Sequence, residues 1–214
     1  MKQAHGWWFP DHEQHLIEWL AKNGKQMHGR SSYQWAKIEA ALAVVPEFGV
    51  AVDIGGHVGL WSYYLAMKFV KVHAFEPMAA HRECFEANLA GADNVVLHDC
   101  ALGDEVGSIR LKTGPNSSGD TYVDGKGDIP LKLLDSFGLT GVDFIKADCE
   151  GYELFAMRGA EQTIRRWRPT IIVEQKPGRA QKYGLHQTEA VGYLRGLGYK
   201  LVKEMAGDFI MTAR

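Results

Sequence analysis

Apolar positions along the chain change spacing near residue 48. Before it they recur at helical intervals: Leu16, Ile17, Trp19 and Leu20 mark one stripe, and Trp35, Ile38, Leu42 and Val45 mark a second that starts near Ser32. Pro10-Asp11 suits the start of the first helix and Asn23-Gly24 its end. Residues 1–48 are therefore expected to form an N-terminal helical extension whose aromatic faces are core. From Gly49 onward, short and nearly continuous apolar runs alternate with helical segments. Strands are expected at Gly49–Ile54, Val70–Phe75, Val95–His98, Val142–Ala147 and Thr170–Glu174, with helices at Leu60–Lys68, Ala79–Ala90 and Glu153–Trp167. Such alternation predicts an α/β domain over 49–214, built of βαβ units on a parallel sheet covered on both faces. Residues 103–135 interrupt it: Ser108–Thr113, a turn at 114–119 and Thr121–Val123 read as a hairpin or small insertion. The chain ends in a helix, Thr188–Leu197, and an antiparallel hairpin turning at Ala206-Gly207.

Composition narrows the partners. Lys and Arg (24) nearly balance Asp and Glu (26), so no polyanion is expected to bind, neither nucleic acid nor an acidic membrane surface. Cys84, Cys100 and Cys149 form no CxxC pair, which fits a reduced, cytoplasmic setting better than a disulfide framework or a zinc site. No apolar stretch reaches the ~18 residues of a membrane span. His12 and His15 flank Glu13 as HxxH, which reads as a polar helix face, and no metal site is expected.

In an open parallel sheet the ligand lies beyond the carboxyl ends of the strands. The first such turn, Val52-Asp53-Ile54-Gly55-Gly56-His57-Val58-Gly59-Leu60-Trp61-Ser62, has Ile54 where a dinucleotide fingerprint needs glycine, and it lacks the Lys-Ser/Thr of a P-loop. The second ends in Phe75-Glu76-Pro77, where a carboxylate suits ribose hydroxyls without a 2′-phosphate. The third ends in Asp99-Cys100-Ala101-Leu102, an acid beside small residues that leave room for an adenine ring. The fourth, Lys146-Ala147-Asp148-Cys149-Glu150-Gly151-Tyr152-Glu153, crowds carboxylates at the mouth of a buried strand, where they repel one another unless a cation or ligand compensates. Lys146 needs a buried partner, and Asp148 is the expected one. Glu174 ends the fifth strand at the same rim.

These residues resemble a known family. Val52–Ser62, Phe75-Glu76-Pro77 and Ala101-Leu102-Gly103 look like the cofactor motifs of class I S-adenosylmethionine-dependent methyltransferases. Leu134-Asp135, the Lys146–Glu153 segment, Met157-Arg158-Gly159-Ala160-Glu161 and Pro169–Glu174 resemble, more narrowly, the FkbM type. His57 stands where that family usually has Asn, and Gly56 where Ala is frequent. The resemblance implies a Rossmann-like, seven-stranded, mostly parallel sheet with an antiparallel C-terminal strand. It also implies O-methylation of a hydroxyl on a sugar or small natural product, with S-adenosylmethionine as cofactor. Asp53, Gly55, Gly56, His57, Gly59 and Trp61 would then hold the methionine portion, Glu76 and Pro77 the ribose, and Asp99, Cys100, Ala101 and Leu102 the adenine. Asp148 would face the cofactor, and Asp148, Glu150 and Glu174 would serve as base or acceptor-binding groups. A nicotinamide oxidoreductase and a cofactor-binding module without turnover are the competing readings. A base-amine methyltransferase is opposed by the lack of an Asn/Asp-Pro-Pro-aromatic motif.

Overall fold

The computed structural model describes residues 1–114 and 117–213, so Pro115-Asn116 of the expected turn lie outside the described residues. Seven strands form the main sheet: β1 (Val50–Ile54), β2 (Lys71–Phe75), β3 (Val95–His98), β4 (Val142–Ala147), β5 (Thr170–Glu174), β6 (Lys200–Met205) and β7 (Asp208–Thr212). Their spatial order is β6-β7-β5-β4-β1-β2-β3. All pairings from β3 to β5 are parallel, and β7 runs antiparallel to both neighbours. Strand order reverses between β1 and β4, which places a crevice at their carboxyl ends.

Helices α3 (Ser62–Ala66) and α4 (Ala79–Asn88) follow β1 and β2. Both faces of the sheet are apolar, and each has its own cover. Val52, Ile54, Ile145, Ala147, Ile171, Val173 and Met211 pack with α5 (Glu153–Arg158), α6 (Glu161–Trp167) and α7 (Glu189–Gly196). Ala51, Phe144, Ile172 and Ile210 point the other way and share a core with Trp7, Phe9, Leu16, Leu20, Ile38 and Ala41. The first 48 residues thus pack against this face of the sheet. They contain the two expected helices, α1 (His15–Asn23) and α2 (Trp35–Leu42), each starting a few residues later than the expected starts at Pro10-Asp11 and Ser32. They also contain two short hairpins, Lys2–Ala4 with Trp7–Phe9 and Lys25–Met27 with Arg30–Ser32, whose strands are too short to show a period.

The helix expected over Glu153–Trp167 is two helices meeting at Gly159-Ala160. Asp135 makes the break. Its carboxylate accepts from Gln162 N (2.9 Å), Thr163 N (2.8 Å) and Thr163 Oγ1 (2.7 Å), satisfying the free amides of the first turn of α6. The insertion folds as a three-stranded sheet of Ala101–Leu102, Ile129–Lys132 and Gly107–Ile109, plus the pair Leu111–Lys112 with Tyr122–Val123. Among the described residues no helix is long and apolar enough to cross a membrane.

A Cβ on Gly159 would lie 1.9 Å from the Gly103 carbonyl oxygen, so the α5–α6 joint admits only glycine. Gly159→Ala is expected to lower the urea midpoint by a destabilisation of about 1–3 kcal/mol. An unchanged midpoint would show that the joint relaxes freely.

Candidate active site

The strand register determines what stands at the crevice. Asp53 of β1 is aligned with Lys146 of β4, and both point to the face covered by the N-terminal residues. Asp53 is fully buried and its Oδ1 lies 3.0 Å from Lys146 Nζ. Ser62 Oγ donates to Oδ2 at 2.6 Å, so both oxygens are taken. The buried partner of Lys146 is therefore Asp53, and the expected pairing with Asp148 gives way because the cross-strand neighbour is the nearer acid. Burial alone would lower the Lys146 pKa; the charges of Asp53 and Asp148 outweigh it and hold the ammonium above its usual value. Lys146 also donates to the Gly55 carbonyl at 2.7 Å, which ties the ion pair to the glycine turn.

That turn is tight. Gly55 has φ +76°, and a Cβ there would lie 2.0 Å from the Asp148 carbonyl oxygen. Gly55 N and Gly56 N both donate to Phe75 O at 3.0 Å. His57, a non-glycine at φ +49°, completes the bend, and its N–H donates to Glu76 Oε2 at 2.8 Å. Glu76 Oε1 accepts from Met78 N at 2.8 Å and lies 3.1 Å from His81 Nδ1. About one of the roughly four lone-pair sites of Glu76 stays open, enough for one hydroxyl without rearrangement.

A cavity of about 210 Å³ opens above these groups. Gly55, Gly56, His57, Trp61, Glu76 and Pro77 line one side, and Cys100, Ala101 and Leu102 close it beneath. Asp148, Glu150 and Glu174 line the other. Three residues expected at the site do not line it. Asp53 lies beneath, engaged by Lys146 and Ser62; a Cβ on Gly59 would run into Leu89 and Phe85; and Asp99 is exposed.

Oxygens of Asp148, Glu150 and Glu174 lie within 4.8 Å of one another, and among the described residues no ion pair of Asp148 accompanies those of the two glutamates. Lys176 pairs with Glu174 and Arg179 with Glu150 (2.8 Å). Burial, then the charge of Asp148, pushes Glu150 up to about 8 and Glu174 up to about 9, with Arg179 and Lys176 pulling back. Glu174 Oε2 is buried without a hydrogen-bond partner among the described residues. Glu150 adopts φ +57°, so backbone strain collects here as it does at His57. Cys149 between them is pushed up by burial and by Glu153, Asp148 and Glu150, which makes it inert as a nucleophile.

Part of the site comes from outside the strand ends. Tyr33 stands just before α2 and lines the cavity beside the acids. Ser117, Ser118, Asp120 and Val123 of the insertion form a roof, tethered at three points. Ser118 N donates to Glu13 Oε2 at 2.6 Å, Arg179 bridges to Asp120 at 2.6 Å, and Tyr183 OH donates to Val123 O at 3.1 Å. Glu13 is fully buried, so it does not belong to an exposed helix face. The turn residues at 114–119 and the two cations after β5 are visible in the sequence, but nothing local marks Tyr33 as a cavity residue or Glu13 as the buried anchor of the roof.

Residues 53–201 match the family described as the methyltransferase FkbM domain. The chain belongs to the FkbM methyltransferase family. Curated relatives of this FkbM-family chain include "Methyltransferase 1" of Beauveria bassiana, 27% identical over 62% of this chain and 67% of the relative. Another is methyltransferase sdnD of Sordaria araneosa, 25% identical over 63% of this chain and 72% of the relative. Among solved structures, the methyltransferase FkbM of Methylobacillus flagellatus shares 19% identity and a TM-score of 0.50 over 77% of this chain. The chain spans only 44% of that structure's length. SMU.1697c of Streptococcus mutans, solved in complex with SAH, has a TM-score of 0.53 at 11% identity over 83% of this chain and 94% of its own. Both share the fold.

Raised carboxyl pKa values mean that stability is present at low pH and is lost as pH rises through the folded values. Thermal unfolding of the ligand-free protein should therefore move to lower temperature between pH of about 6 and about 9, and Glu174→Gln should flatten the decline. A stability that climbs over this window would contradict the burial of these acids.

Proposed function

We propose that this FkbM-family methyltransferase uses S-adenosylmethionine to methylate a hydroxyl on a small-molecule or carbohydrate acceptor. The observation that carries the reading is the convergence of Asp148, Glu150 and Glu174 on one wall of a cavity whose other wall is the Gly55–Gly56 turn and Glu76. The residues fit the cofactor: the turn offers a wall without side chains, Glu76 keeps an acceptor site for a ribose hydroxyl, and small residues at Cys100 and Ala101 flank the adenine position.

When bound, S-adenosylmethionine supplies a methyl group on a cationic sulfur whose departure leaves a neutral thioether. The chain does the rest. Gly55, Gly56 and His57 would hold the methionine end, Glu76 and Pro77 the ribose, and Cys100 to Leu102 the base. Asp148, Glu150 and Glu174 line the opposite wall, where they would offer negative charge to a sulfonium in a dry pocket. Tyr33, Trp61 and the roof orient the acceptor and exclude water. An alcohol needs its proton removed, and the acid group on this wall stands where it could accept that proton. The raised values of Glu150 and Glu174 make the ionised form of each a stronger base than an exposed carboxylate. Lys176 and Arg179 stabilise that form, so the chain supplies the counter-charge from its own side chains.

Asp148→Asn should retain the fold and SAH binding but lose turnover by about 10²–10⁴-fold, measured as transfer of labelled methyl to a panel of hydroxylated acceptors. In the wild type the rate should rise with pH through about 8 to 9 as the base form appears. A fully active Asp148→Asn enzyme would remove the acid group from the mechanism.

A further inference from the structure

Glu13 lies outside the residues that match the family, yet it reaches the glycine turn through one hydroxyl. Its carboxylate accepts from Leu16 N at 2.7 Å and from Ser118 N at 2.6 Å, and Ser118 Oγ lies 2.5 Å from Oε2. The Ser118 hydroxyl donates to Glu13 Oε2, so its proton points at Glu13. Ser118 Oγ then turns only lone pairs to His57 Nε2, 2.7 Å away. His57 must carry its proton on Nε2, which leaves Nδ1 an acceptor. Burial, together with the charges of His81, Lys146 and His12, keeps the ring neutral. The ring also has a fixed place, because its own backbone N–H is bound to Glu76.

The cofactor placement above needs an acceptor for the ammonium of the methionine end, and Asp53 is not available, since Lys146 and Ser62 occupy its two oxygens. We propose that the Glu13–Ser118–His57 chain of hydrogen bonds sets the His57 tautomer and thereby presents Nδ1 to the ammonium of the bound cofactor. Ser118 is in this sense a positioning residue acting through His57, and Glu13 acts through Ser118. The N-terminal residues and the roof would then sense whether the methionine end is in place. The inference rests on the cofactor placement proposed above.

The test compares two ligands that share adenosine and sulfur. S-adenosylhomocysteine carries the ammonium; 5′-methylthioadenosine does not. By calorimetry the wild type should bind S-adenosylhomocysteine more tightly. Ser118→Ala should weaken S-adenosylhomocysteine by about tenfold and change 5′-methylthioadenosine by less than about twofold, and Ser118→Thr should restore the difference. In nitrogen-15 spectra of histidine-labelled protein, His57 should show a protonated Nε2 in the wild type and a mixture of tautomers in Ser118→Ala. If Ser118→Ala keeps the wild-type ratio of affinities, or weakens both ligands equally, Ser118 only shapes the roof and the proposal is overturned. If the wild type binds both ligands equally, the placement of the methionine end fails, and the proposal with it.

Discussion

Asp53 and Lys146 are buried side by side where β1 and β4 part, and the architecture around the cavity depends on that pair. Each strand alternates sides, so the positions that put Ala51 and Phe144 into the core beneath the N-terminal residues also put Asp53 and Lys146 on that face, one step from the strand ends. Taking two charges out of water is costly, and the pair is tolerable because its remaining bonding capacity is filled by Ser62 and the Gly55 carbonyl. The last of these bonds carries the consequence. It anchors the glycine turn to the neighbouring strand, and the turn in turn fixes His57, Glu76 and the Asp148 backbone against one another. Removing either charge would leave the other buried and unpaired.

A second layer of electrostatics sits above this one, and it is deliberately incomplete in charge. Three acids face two cations at the rim, with Glu174 Oε2 left without a partner among the described residues. Burial, then the charge of Asp148, makes Glu150 and Glu174 hold their protons into the alkaline range, and two non-glycine residues bordering the cavity, His57 and Glu150, are held in the left-handed region. Such features lower stability and suit a site that receives a cationic ligand and takes up a proton. The roof segment and the N-terminal residues complete the enclosure from outside the strand-end scaffold, through bonds that span 105 residues in the case of Glu13 and Ser118.

Much of this could be read from residue order. The nearly continuous apolar runs identify β1, β4 and β5 because strands covered on both faces carry few polar residues, and these strand ends, with that of β2, locate Glu76, Asp148, Glu150 and Glu174 at one rim. What could not be read depends on register and on long-range contact. Lys146 meets Asp53 and not Asp148 because two strands align residue by residue, and no local signal states that alignment. The break between α5 and α6 is imposed by Asp135, well upstream of the helices it separates. Glu13 sits in a polar stretch that resembles any exposed helix start, and only the roof folding back over it makes it a buried anchor. The FkbM resemblance, in the same way, covers the strand-end motifs and is silent on the residues that roof the cavity.

The central claim is that the three acids at the mouth of β4 and β5 face the reacting sulfur. A crystal structure of the protein with S-adenosylhomocysteine bound tests it most directly. The account predicts the ribose against Glu76, the adenine beside Cys100 to Leu102, and the sulfur turned toward Asp148, Glu150 and Glu174. A ligand seated with its sulfur away from those carboxylates, or held outside this cavity altogether, would contradict it.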